Sequence, residues 1–199
     1  VNIDSTKLLL VYHAKALSCL NPENGKEIWR IPWETEYGVN ATTPSIEGNI
    51  VFHTSGYGKG CQAITMSKDK YEILWTNNNI AAQHSDPIII DGYIYGYSGE
   101  SSNMKGEFKC LELKSGKEMW TTKELGMGTC LYADGYIICF DIKGNLHLFK
   151  PGPQKFEKSA TIKKAMPEVS KPVWTVPAIA NGKLYLRYMQ KLICYNLNP

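Results

Sequence analysis

No apolar run in these 199 residues approaches the roughly 18 that a membrane-spanning helix needs; the richest, Leu8 to Val11, is strand-sized. Charge of one sign is not concentrated either. The 22 Lys and Arg against 19 Asp and Glu leave a net charge of +3. They are scattered, which argues against the clustered basic stripe of a nucleic-acid binder. The sequence has no Cys-x-x-Cys, so zinc ribbons and c-type haem attachment are excluded. It has no Gly-x-Ser-x-Gly elbow and no phosphate-binding glycine loop. No signal-peptide pattern opens the chain, which starts at Val1. Either a leader has been removed or this is a fragment of a longer chain, and the repeat count below favours the fragment.

What is present is a repeat. TPSIEGNIVF, DPIIIDGYIYG, CLYADGYIICF and VPAIANGKLYL share the form apolar run, glycine, apolar run. Their glycines are Gly48, Gly92, Gly135 and Gly182, at spacings of 44, 43 and 47. Each reads as two strands joined at Glu47-Gly48, Asp91-Gly92, Asp134-Gly135 or Asn181-Gly182. Asp-Gly and Asn-Gly are strong hairpin signals because a type I′ turn needs positive φ at both central residues. The strands are expected near 43–47, 49–53, 86–90, 92–97, 129–133, 136–140, 176–180 and 183–187. Between the hairpins, CLNPENGKEIW and CLELKSGKEMW end at Trp29 and Trp120, with a looser copy, AITMSKDKYEILW, ending at Trp75.

One unit is therefore four strands, A to D, with Trp near the end of D. That period and strand count describe an all-β propeller of four-stranded antiparallel blades. The repeated Trp is expected to fill the gap between adjacent blades. Residues 7–31 supply B, C and D of one unit; 39–78, 82–122 and 126–165 are complete units; 174–197 supply A, B and C of the last. The whole chain, 1–199, reads as a single partial propeller. The fourth unit departs from the pattern: PGPQKFEKSATIKKAMPEVSKP carries no Trp at the docking position. It reads as a longer solvated outer strand and linker, its lysines a wet face.

The order strand, x-Gly-Lys-x-x-Trp, then Pro-x-Ile-x-x-Gly-x-x-Tyr resembles the PQQ-like (pyrroloquinoline-quinone-type) propeller repeat, most clearly in NGKEIW and SGKEMW. WD repeats carry Gly-His and Trp-Asp, and kelch repeats carry Gly-Gly; none of these occurs here. The resemblance covers nearly the whole chain. It implies a ring of about eight blades, of which this sequence would be the C-terminal half. The missing strand of the last blade would come from the remainder of the protein or from another copy.

In an A-to-D blade the D–A and B–C connections share one face, and strand A lies innermost. The residues opening strand A are Asn40, His84, Met127 and Trp174, and the B–C loops add His53, Tyr57, Tyr97, Glu100, Asp141, Lys143, Arg187 and Tyr188. From this collar the expected ligand-binding set is His53, His84, Trp174, Arg187, Glu100 and Asp141; the alternative is a set of ordinary solvated loop residues. No catalytic or metal site is expected. Four histidines in different units supply no third ligand by spacing. Quinone enzymes that resemble this chain in fold carry a vicinal Cys-Cys pair and a Glu/Asn/Asp calcium set, and neither pattern is found. The reading is a non-enzymatic binding or scaffold module without cofactor, periplasmic, cell-surface or secreted in a bacterium. Its ligand would be protein, peptide or glycan. The alternatives are a quinone-dependent dehydrogenase-like enzyme and a polysaccharide-active hydrolase or lyase.

Of the six cysteines, Cys19, Cys110 and Cys194 share one strand-C position in separate units and read as small buried hydrophobes. Cys130 and Cys139 flank the Asp134-Gly135 turn. With two turn residues they fall opposite each other, as a short-loop disulfide or as two packed thiols.

Overall fold

The structure is a computed structural model that describes residues 1–100 and 105–198, apart from the side chain of Glu100. Every regular element among them is a strand. A hairpin, β1 (Asn2–Ile3) and β2 (Thr6–Lys7), opens the chain. Five antiparallel sheets follow, each built from strands consecutive in sequence. The first holds β3 (Leu9–His13), β4 (Ala16–Leu20) and β5 (Glu27–Pro32). The second holds β6 (Ser45–Glu47), β7 (Ile50–Ser55), β8 (Gly60–Met66) and β9 (Tyr71–Asn77). The third holds β10 (Ile88–Ile90), β11 (Tyr93–Glu100), β12 (Lys105–Glu112) and β13 (Glu118–Thr122). The fourth holds β14 (Gly128–Ala133), β15 (Tyr136–Asp141), β16 (Leu146–Phe149) and β17 (Lys158–Ile162). The fifth holds β18 (Ala178–Ala180), β19 (Lys183–Tyr188) and β20 (Lys191–Asn196).

The turns follow backbone sterics. Asp91-Gly92, Asp134-Gly135 and Asn181-Gly182 have positive φ at both positions, as a type I′ turn demands. The first expected turn is displaced by one residue. Glu47 pairs with Ile50, so the turn is Gly48-Asn49 and only Gly48 has positive φ. Glu tolerates the left-handed region poorly, whereas Asp and Asn enter it readily; the glycine therefore takes the first turn position. Asp4-Ser5, both at positive φ, turns the β1–β2 hairpin. It carries no glycine, and the sequence pattern did not reveal it.

Strand alternation sends successive side chains to opposite neighbours. Val51 faces the first sheet and Phe52 the third, so the middle sheets are buried on both faces. Four apolar clusters result, each shared by two successive sheets. At the outer strand of three sheets a Trp is paired to strand C: Trp29 with Cys19, Trp75 with Ala63, Trp120 with Cys110. A bulge follows immediately in every case, which turns the ring toward the next sheet.

The receiving position is also constant: it lies four residues before the next outer-strand position of the same kind. Trp75 meets Gly116, where an added Cβ would stand 2.6 Å from the indole, and its Nε1–H donates to Leu113 O at 2.8 Å. Trp120 meets Phe156 at 5.7 Å between ring centroids and donates to Gly152 O at 2.8 Å. Trp29 meets Tyr71 at 5.1 Å, and its buried Nε1 has no hydrogen-bond partner among the described residues. In the fourth sheet this place, paired with Leu148 and followed by the same bulge, is taken by Ala160.

Cys130 and Cys139 are directly opposite in the β14–β15 ladder, in the register expected from the turn. Both are buried free thiols. Burial and the neighbouring Cys130 push the Cys139 thiol well above its ordinary pKa, so it resists thiolate chemistry. Alkylation under denaturing conditions without reductant should add six adducts by mass, one for each cysteine in the sequence; four adducts would mean that the pair is bonded.

Candidate functional site

His84 precedes β10 and Trp174 precedes β18, so each lies on the segment leading into the innermost strand of its sheet. They belong to the third and fifth sheets, yet their rings lie 5.4 Å apart. The third, fourth and fifth sheets thus bring their inner ends together. Thr129 on β14 extends the junction by donating to Thr175 O at 3.0 Å, and Thr175 in turn donates to Arg187 O. Trp174 and Arg187 share a recess of about 350 Å³ with Lys171, Tyr188 and Met189. Lys143 and Lys171 line an adjoining one.

Arg187 is exposed and Trp174 half-buried. The recess thus offers an indole beside two cations, Lys171 and Arg187, with Lys143 in the adjoining recess, a combination suited to carboxylates and aromatic groups. His84 is exposed, and the desolvation that remains lowers its pKa from the ordinary histidine value. Tyr188 anchors the floor, accepting the Ser170 and Lys171 backbone N–H groups at 3.0 and 2.8 Å. Hydrogen bonding, that of the Ser170 side chain foremost, holds the phenol below its ordinary pKa.

His53 lies elsewhere. Strand β7 runs two residues beyond its expected end and pairs His53 with Gln62, so His53 is a strand residue, 1% exposed. Its Nδ1 lies 3.4 Å from the Tyr12 hydroxyl, its Nε2 3.2 Å from Gln62 Oε1, and the Trp33 ring packs edge-on at 4.6 Å. Ser55 Oγ accepts from Trp33 Nε1 at 3.2 Å and donates to Asn40 Oδ1 at 2.6 Å. Asn40 Nδ2 reaches His13 O and Trp33 O, both at 2.8 Å. This closed network joins the first two sheets. Burial pushes the His53 pKa down to about 4, against a smaller opposing effect of Gln62.

Asp141 ends β15 and is 7% exposed. Its Oδ1 accepts the Lys143 and Asn145 N–H groups at 2.8 and 2.9 Å; its Oδ2 meets Asn145 Nδ2 at 2.8 Å and His147 Nε2 at 3.0 Å. Desolvation raises its pKa, but these hydrogen bonds outweigh it and hold the carboxyl below its usual range. Asp141 therefore organises its own turn. Glu100 ends β11, and its side chain lies outside the described residues.

Of the six expected ligand-binding residues, His84, Trp174 and Arg187 come together, while His53 and Asp141 are held in separate buried networks. Among the described residues no group of three or more His, Cys, Asp or Glu could hold a metal ion, and none of the six free cysteines adjoins another in sequence. Lys171 and Thr175 were not singled out in the sequence. Their signal is proximity to Trp174 in the last D–A connection.

The family described as outer membrane protein assembly factor BamB matches residues 1–122. No curated protein sequence matches the chain. Among solved structures it is similar to BamB from Moraxella catarrhalis, with a TM-score of 0.67 at 14% identity over 93% of this chain and 54% of that one. It is also similar to the Pseudomonas aeruginosa PilY1 C-terminal domain (TM-score 0.58, 15% identity, 72% of this chain and 38% of that one). A third is the computationally designed Ika4 protein (0.55, 7%, 79% and 91%). The chain spans about half the length of the Moraxella BamB. At these identities the likeness concerns the fold. No helix among the described residues is long and apolar enough to cross a membrane.

Proposed function

We propose that this chain, which belongs to the family of outer membrane protein assembly factor BamB and is a PQQ-like repeat β-propeller, is a non-enzymatic scaffold that binds a protein partner through the loops carrying His84, Trp174 and Arg187. The observation that carries this is the half-buried Trp174 set against His84 in a recess it shares with Arg187. The partner chemistry that suits it is an acidic segment bearing an aromatic side chain: carboxylates meet Lys143, Lys171 and Arg187, and the aromatic group stacks on the indole. His53 and Asp141 support the scaffold from within rather than touching the ligand. The family's description favours a periplasmic or outer-membrane setting. The open edge of β20 would be covered by the remainder of the propeller or by a second copy.

Titration of acidic aromatic peptides, read by Trp fluorescence, tests the reading. Trp174→Ala and Arg187→Ala should each weaken binding about tenfold, near 1.4 kcal/mol. Neither should shift the thermal midpoint by more than a few degrees, since both side chains lie at a surface recess. Equal affinity in both variants would remove these residues from the site. Dye reduction after addition of PQQ and calcium would replace the scaffold by a dehydrogenase, and selective binding on a glycan array would replace the protein partner by a polysaccharide.

A further inference from the structure

Trp75 and Trp120 fill the second and third junctions between sheets with an indole whose N–H donates to a backbone oxygen of the next sheet. In the fourth junction, between the fourth and fifth sheets, the equivalent residue is Ala160, paired to strand C and followed by the same bulge. The volume an indole would take is open there. A recess of about 180 Å³ is lined by Ile138, Leu148, Ala160, Ile162, Leu184 and Leu197, among others. Leu197 stands three residues after Cys194, as Leu113, the acceptor for Trp75, stands three after Cys110. The lining is apolar, and its rim carries two exposed apolar side chains, Ile162 at 53% and Leu197 at 48%. A dry apolar cavity of about 150 Å³ admits benzene; this one is slightly larger and open to the surface.

We propose that this recess is a binding site for an indole-type aromatic group, supplied in trans by a tryptophan side chain of a partner protein. Two observations select that chemistry over a merely greasy occupant. The same position in two other junctions of this chain is shaped to an indole, and the residue corresponding to an indole acceptor, Leu197, is on the wall. An aliphatic group would fill the space but use no backbone oxygen. The site stands apart from the recess at Trp174: different strands build it, and either can fail without the other.

The probes are indole and N-acetyl-tryptophan amide, added to the full chain with methyl-labelled Ile and Leu and followed by NMR. Saturable shifts are expected at Ile162, Leu184 and Leu197, with Leu113, beside the filled Trp75 junction, unmoved. The Ala160→Trp variant should place its own ring in the recess, weaken binding at least tenfold and raise the thermal midpoint. Absence of saturable shifts, or shifts mapping elsewhere, would overturn the proposal using the unmodified chain alone. Undiminished binding in a folded Ala160→Trp variant would do the same.

Discussion

Replacing Trp120 by Ala should destabilise the protein by about 3–5 kcal/mol, the largest effect expected of a single substitution here. The half-buried indole packs from the outer strand against the third-junction cluster, among Tyr95, Phe108, Phe149 and Phe156 with ring centroids 5.7–6.5 Å away. Truncation would leave an aromatic-walled cavity that neighbours on two sheets cannot both close. The hydrogen bond to Gly152 O is a smaller part: Trp120→Phe keeps a ring and should cost only about 1–2 kcal/mol, mostly from that orphaned carbonyl. Urea denaturation followed by circular dichroism measures both. A loss below about 1 kcal/mol for the Ala variant would show that the indole is not docked as described.

Acidification from pH 7 to 5 should remove about 2 kcal/mol through His53 alone, rising to about 3 kcal/mol by pH 4. The ring is buried and its native pKa is depressed to about 4, against about 6.5 when unfolded. Below pH 6.5 the unfolded chain therefore binds a proton that the native chain refuses, and stability falls until the native pKa is passed. His84, also lowered, contributes in the same direction. Carboxylates with lowered native values, Asp141 among them, add their loss at more acid pH, so the window from 7 to 5 isolates the histidine effect. Denaturation midpoints of the native protein and a His53→Gln variant, compared at pH 7 and 5, decide it. An equal pH slope in the two would mean that His53 is reached by water.

The hairpins at Asp91-Gly92, Asp134-Gly135 and Asn181-Gly182 were legible because positive φ leaves few residue choices. Once those turns were placed, the opposition of Cys130 and Cys139 followed by counting. The Trp sites were legible as a period. What received each Trp was not, because Gly116 stands in one junction where the other two have an aromatic ring, Tyr71 or Phe156. The candidate site was partly legible. Strand order placed His84, Trp174 and Arg187 on connections of one kind, and they meet. His53 was expected at the end of a strand and in the collar; its enclosure was not legible because its partners Tyr12, Trp33 and Gln62 come from three separate segments, and their convergence is a tertiary fact. Glu47 misled locally: its glycine neighbour was recognised, but the slide of the turn depends on which residue tolerates the left-handed region.

The four apolar clusters, each confined to one pair of successive sheets, have an energetic consequence. Stability in such a stack is close to a sum of nearest-neighbour coupling terms, as in linear repeat arrays, rather than the property of one common core. Cooperativity then depends on the weakest coupling. We expect the junction at Ala160, which lacks an indole of its own, to be that weakest link. The fifth sheet should therefore separate from the stack at a lower free energy than the rest, and its amides, from β18 to β20, should exchange with solvent ahead of those in the second and third sheets. An occupant in the Ala160 recess would couple the fifth sheet to the fourth and make these sheets melt as one unit.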